Sequence, residues 1–140
     1  MKKYSLLGAM VLISFLIAFP GCGGKKRHAP KGTVSYDGEP IEWGHISFTP
    51  TKGTEGPKSG AEIREGAYEV DGGKGLFKGS YLVTFQAWKR EGKVSVDPVT
   101  GEKTKGGELK QFLPPKYVDK SDKTIEIDGS KQTFDFKLDP

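Results

Sequence analysis

The stretch SYLVTFQAW, Ser80 to Trp88, decides how this chain folds. Tyr81, Val83, Phe85 and Ala87 occupy alternate positions, so an extended backbone places all four on one face. That period of two predicts a half-buried β-strand, with Trp88 on the face opposite the core.

Working outward from this strand, the same period recurs between turn signals. Val34 and Tyr36 alternate with polar residues before the turn chemistry of Asp37-Gly38-Glu39-Pro40. Ile46 and Phe48 alternate with His45, Ser47 and Thr49 until Pro50. Ala61 and Ile63 form a weaker pair, and Tyr68 and Val70 follow Gly66. Asp71-Gly72-Gly73 then breaks the chain. Near the end, Ile125 and Ile127 precede Phe134, Phe136 and Leu138, with Asp128-Gly129-Ser130-Lys131 between them as an expected hairpin loop. The pattern predicts about seven strands and no amphipathic helix, hence an all-β, seven-stranded antiparallel Greek-key β-sandwich. The 20 glycines and nine prolines suit many short strands joined by turns. Expected core residues are Val34, Ile46, Phe48, Ile63, Tyr68, Val83, Phe85, Ile127, Phe134 and Phe136.

In LFKGSY, a glycine stands two residues before Tyr81 at the start of the principal strand. This fits a tyrosine corner, in which the hydroxyl bonds back to the backbone and pins a crossing loop; the alternative is a simply buried tyrosine. Between Lys89 and Gln111 runs a polar excursion too long for a plain connection. Within it, Asp97-Pro98-Val99-Thr100-Gly101 predicts the turn of a small inserted hairpin, at about 89–111. It is either a partner-contacting loop or a decorative insertion. Pro114-Pro115 is expected to continue as extended chain.

The N-terminus has a different character. Lys2 and Lys3 precede a nearly continuous apolar run from Leu6 to Phe19, the anatomy of an export signal and short for a membrane span. Cys22 follows directly and is the only cysteine, so an internal disulfide is impossible. The residues before it resemble a bacterial lipobox: Gly21 matches, while Phe19 and Pro20 depart from the commonest choices. The resemblance implies diacylglycerol on the Cys22 sulfur, cleavage before Cys22 and acylation of the new amino terminus. Two or more acyl chains hold a protein stably at a membrane. The competing reading is a plain signal peptide with an incidental cysteine. The expected organisation is a signal at 1–21, a lipidated tether at 22–31 and the β-domain at 32–140.

Removal of residues 1–21 from the 140 leaves 119, enough for one domain. Loss of Lys2 and Lys3 lowers the net charge from +4 to +2. The remaining charges are interspersed, which argues against nucleic acid as a partner. The exception is Lys25-Lys26-Arg27, expected either to touch anionic head groups or to be solvated linker. The chain has no asparagine, which removes N-glycosylation acceptors and Lys–Asn isopeptide crosslinks.

The segments GTVSYDGEPIEWGHISFTP, GAYEV, GLFKGSYLVTF, DPVTGE, LPPKY and TFDFKL resemble, in order, the bacterial carboxypeptidase-regulatory-like or transthyretin-like envelope lipoproteins. The resemblance runs from Gly32 to the end. It implies a seven-stranded Greek-key sandwich with no established catalytic role. The residues themselves assemble no catalytic constellation. Only His28 and His45 are present, one in the tether and one on a polar strand face, both expected to be solvated. Two histidines and an acylated cysteine supply no zinc set. The ending FDFKLDP lacks the Tyr-Arg-Gly-Ser of the transthyretin-related hydrolases. Asp71-Gly72-Gly73-Lys74-Gly75 reads as a turn and not as a calcium or phosphate loop, because Asp71 has no acidic companion.

The sequence thus predicts a lipid-anchored, non-enzymatic structural or binding module on the periplasmic or outer side of a bacterial membrane. No catalytic, cofactor-binding or metal-ligating residue is expected, and Cys22 is the single modified site. Its partners would be the membrane, through Cys22, and an envelope protein or polysaccharide. The alternative is a carbohydrate-binding or adhesion module with Trp43 and Trp88 as a stacking platform; those tryptophans otherwise serve as packing. A hydrolase of the transthyretin-related type is the most distant reading.

Overall fold

The computed structural model describes residues 24–140; the expected signal and Cys22 lie outside the described residues. The described chain is all-β. Its strands are β1 (Lys31–Tyr36), β2 (Glu39–Pro40), β3 (Trp43–Pro50), β4 (Ser59–Arg64), β5 (Ala67–Glu69) and β6 (Gly79–Glu91). They continue as β7 (Val94–Val96), β8 (Lys103–Lys105), β9 (Glu108–Gln111), β10 (Thr124–Ile127) and β11 (Phe136–Leu138). One helical turn, α1 (Pro115–Val118), and a 3-10 turn at Gly72–Lys74 interrupt them.

Seven strands form the main path in the order β10-β6-β3-β4-β5-β1-β11, with β2 added to β1 and β9 to β6. Strand β6 is the hub. Its first four residues pair with β10, its last four pair with β9, and β3 lies along its other edge. Tyr81, Val83, Phe85 and Ala87 are buried, as their alternation predicts. Two-residue turns join β1 to β2 and β4 to β5. Each has a residue and then a glycine at positive φ: Asp37 and Gly38 in the first, Glu65 and Gly66 in the second. That sequence of dihedrals is the type I′ turn, whose twist matches the strands it connects.

The sheet curls onto itself. Along the path, β11 is five strands from β6, which in a flat sheet would separate them by roughly 24 Å. Yet the rings of Phe85 and Phe136 are 5.1 Å apart, centre to centre. Phe48 meets Tyr68 at 6.1 Å, and Tyr68 meets Phe136 at 6.2 Å, so aromatic contacts bridge the concave interior. Helix α1 contributes Tyr117, edge-on to Phe85 at 6.5 Å, with its hydroxyl accepting from the Asp139 amide. Tyr81 closes the corner that LFKGSY predicts: its hydroxyl donates to the Phe77 carbonyl and accepts from the Phe77 amide, both at 3.1 Å.

Several expectations are corrected. The turn at Asp128 forms, with Ser130 donating its amide to Asp128 Oδ1, but the flanking strands are not a hairpin. Strand β10 joins β6 in antiparallel register, whereas β11 crosses to β1 and pairs with it in parallel. Of the expected core, Phe134 and Phe136 are only half-buried and pack against it, because β11 is an edge; Leu138 is its buried residue. Pro115 starts a helical turn instead of prolonging the extended chain, a position where its missing amide proton costs nothing. His28 is not solvated. It is 4% exposed, and its backbone pairs with Leu76, so ordered pairing begins ahead of Lys31.

The excursion also proves partly structural. Strand β6 runs on to Glu91 and pairs with β9, leaving the β7–β8 hairpin as the inserted part. Its turn is the predicted one: Gly101 has φ of 70°, and Asp97 Oδ1 accepts from the Val99 and Thr100 amides.

Candidate functional site

The convex side of strands β4, β3 and β6 carries the residues left over once the alternating apolar set is buried. Register places them in rows across the sheet. Trp43 is opposite Arg64, and its ring lies 5.2 Å from that of Trp88 at a tilt of 43°. His45 lies between Glu62 and Gln86, and Ser47 lies between Gly60 and Thr84. Trp43 is 38% exposed and Trp88 half-buried, so the pair is a surface feature. Trp88 thus lies on the face that the alternation of its strand predicts.

Local chemistry keeps the face shallow. A side chain at Gly60 would bring its Cβ within 2.7 Å of His45 Cε1, so glycine leaves room for the imidazole to lie over β4. His45 Nδ1 is 3.2 Å from Ser47 Oγ, an unanticipated contact between the only fold-borne polar strand histidine and a hydroxyl. The carboxylate of Glu62 is engaged by Arg64, whose Nε and Nη2 donate to Oε2 at 2.9 and 2.7 Å. The arrangement therefore offers donors and acceptors beside an aromatic surface, with the carboxylate turned toward Arg64.

Beyond Trp88, Lys110 and then Lys89 draw the Glu91 carboxyl below its usual range by hydrogen bonding. Leu109 is 45% exposed and lines the same end with Trp43 and Trp88. On the inner side, Tyr68 donates to the Phe134 carbonyl at 2.8 Å, and burial, then the nearby Asp135 charge, raises its phenol above the ordinary range.

Two open depressions lie along the convex face. One of about 340 Å³ holds Trp43, Trp88, His45, Ser47, Glu62 and Gln86. The other, of about 510 Å³, shares His45 and Ser47 and extends to Lys58, Lys74 and Arg27. Sequence reasoning named the two tryptophans as a stacking platform but set His45 aside as a solvated side chain. It missed the second depression, because Arg27, Lys58 and Lys74 come from three loops whose meeting has no periodic signal. The basic triplet is accordingly not a free linker: Lys25 pairs with Glu55, and the Arg27 guanidinium lies 4.9 Å from the centre of the Phe77 ring. Gly72–Lys74 is a turn, as expected, capped by Asp71 accepting from the Gly73 amide. Among the described residues no cluster of three or more His, Cys, Asp or Glu side chains is placed to hold a metal ion.

No protein-family model matches the chain, and no curated protein or solved structure matches it either.

Proposed function

We propose that this chain is a lipid-anchored, non-enzymatic binding module of the bacterial envelope that recognises carbohydrate on its convex sheet face. The observation that carries the reading is the Trp43–Trp88 pair at the surface, with Trp43 exposed and Trp88 half-buried, flanked by Gln86, His45, Ser47 and Glu62. Aromatic faces stack on the apolar face of a sugar ring, while neighbouring polar groups bond its hydroxyls, the division of labour expected of a shallow ligand site. As packing alone, the pair would contribute about 0.5–1.5 kcal/mol beyond its buried area. It would have no need of an exposed edge.

The finer architecture is read as a seven-stranded Greek-key sandwich of the carboxypeptidase-regulatory-like or transthyretin-like type. Seven strands on the main path, the crossing of β10 to β11 and the Tyr81 corner support it. Anchoring rests on Cys22 and the export signal before it. Mass spectrometry of the membrane-derived protein should find the lipid on Cys22, and Cys22→Ser should release the protein from membranes; an unmodified cysteine in a soluble mature protein refutes the anchor.

Retention on immobilised polysaccharides tests the binding reading. The wild type should be retained, and Trp43→Ala and Trp88→Ala should each lower retention at least tenfold, corresponding to about 1.4 kcal/mol. Both variants should melt near the wild type. Retention unchanged in both variants, or no retention by any polysaccharide, sinks the proposal.

A further inference from the structure

The two depressions on the convex face are neighbours with unlike linings, and the difference bears on the ligand class. His45 and Ser47 line both, so the two depressions adjoin along these side chains. Strand β3 advances about 13 Å between Trp43 and Ser47, which is the span from the aromatic pair to the edge of the second depression. A short oligosaccharide covers that distance.

The far end is built by tertiary contacts that gather three cations. Ser59 Oγ donates to the Lys74 carbonyl, holding the 3-10 turn against the start of β4, beside Lys58. The His28–Leu76 pairing brings the N-terminal segment alongside, and Arg27 Nη1 donates to the Gly75 carbonyl at 3.3 Å. Arg27, Lys58 and Lys74 are all exposed, and no acidic side chain lines this depression. Among the described residues none of the three forms an ion pair. Near the aromatic end, by contrast, most basic groups are matched, Arg64 with Glu62 and Lys89 and Lys110 with Glu91, while Arg90 forms no ion pair among the described residues. Three exposed cations that line one depression without an ion-pair partner make its potential positive, which favours an anionic ligand.

We propose that the convex face binds an acidic glycan, an oligosaccharide bearing uronate carboxylates. A sugar ring stacks on Trp43 and Trp88, and a carboxylate further along the chain meets Arg27, Lys58 and Lys74. This inference rests on the carbohydrate reading above and adds to it the charge and direction of the ligand. A uronate suits the geometry because carboxylate and ring belong to one skeleton, so their spacing is set by the glycan chain.

The test uses the full-length protein purified from membranes in detergent and an array of matched glycans. The array carries neutral gluco-, galacto- and manno-oligomers, the corresponding uronate oligomers, and the methyl esters of those uronates. Wild-type protein should prefer one or more uronate oligomers over their esters by about tenfold, a preference that shrinks as salt rises. In the double variant Lys58→Gln/Lys74→Gln the preference should vanish while weak binding of the esters persists. Trp43→Ala should weaken acid and ester alike. Equal binding of acid and ester overturns this inference and leaves the carbohydrate reading standing. A preference that survives in the double lysine variant also overturns it. Retention of no glycan at all refutes the carbohydrate reading, and this inference with it.

Discussion

Replacing Tyr81 by Phe isolates the corner that holds the loop before β6. The ring stays, so the apolar burial of this fully buried side chain is conserved. Only the hydroxyl is lost, and with it two contacts of 3.1 Å, one to the Phe77 carbonyl and one to the Phe77 amide. Removing one partner from a buried hydrogen bond costs about 1–3 kcal/mol, because the group left behind is desolvated without compensation. Phe77 is half-buried, so water reaches part of what is exposed, and a loss of about 2 kcal/mol is expected. At about 4–6 °C per kcal/mol for a domain of this size, the melting midpoint should fall by roughly 8–12 °C. Urea unfolding should show the same loss as a lower midpoint with an unchanged slope. A midpoint within about 2 °C of the wild type would show that the corner contributes nothing and that Tyr81 acts by packing alone.

Three further outcomes follow from other parts of the fold. His28→Leu should raise stability by about 1 kcal/mol in urea unfolding, because both imidazole nitrogens are buried without partners; a loss of similar size would reveal a hidden role for the ring. Burial raises the Tyr68 and Tyr81 phenols above 10.0, so the unfolded chain ionises first. Stability is therefore complete below about pH 10 and falls as pH rises beyond it, and Tyr68→Phe should flatten that alkaline loss in unfolding followed by phenolate absorbance. Exchange of residues 92–107 for a short Gly/Ser linker should change stability by less than about 0.5 kcal/mol, since β7 and β8 pair only with each other; unfolding of the domain would show that the hairpin supports the core.

What the residues reveal on their own is whatever one strand or one turn determines by itself. The alternation of Tyr81, Val83, Phe85 and Ala87 sets which face of β6 is buried, and so it also sends Trp88 to the other face. The Asp37-Gly38 turn and the Asp97 to Gly101 loop are equally local, because their shape depends on φ values that few residue types accept. The Tyr81 corner joins residues only four apart and was legible for the same reason.

Pairing partners were not legible, because they depend on how a closed core is shared among distant segments. The turn at Asp128 has the same hydrogen bonds whether the next strand folds back on β10 or crosses over to β1. Only the curl of the sheet, which brings Phe136 onto Phe85, decides between the two, and it leaves Phe134 and Phe136 half-buried at an edge. His28 belongs to a segment with no hydrophobic period, yet its pairing with Leu76 buries it. The meeting of Arg27, Lys58 and Lys74 is likewise a product of three loops docking on that curled frame. Strand faces and turns answer to backbone geometry within a few residues; edges, crossings and converging charges answer to which distant surfaces the core must cover, and that exists only in the folded molecule.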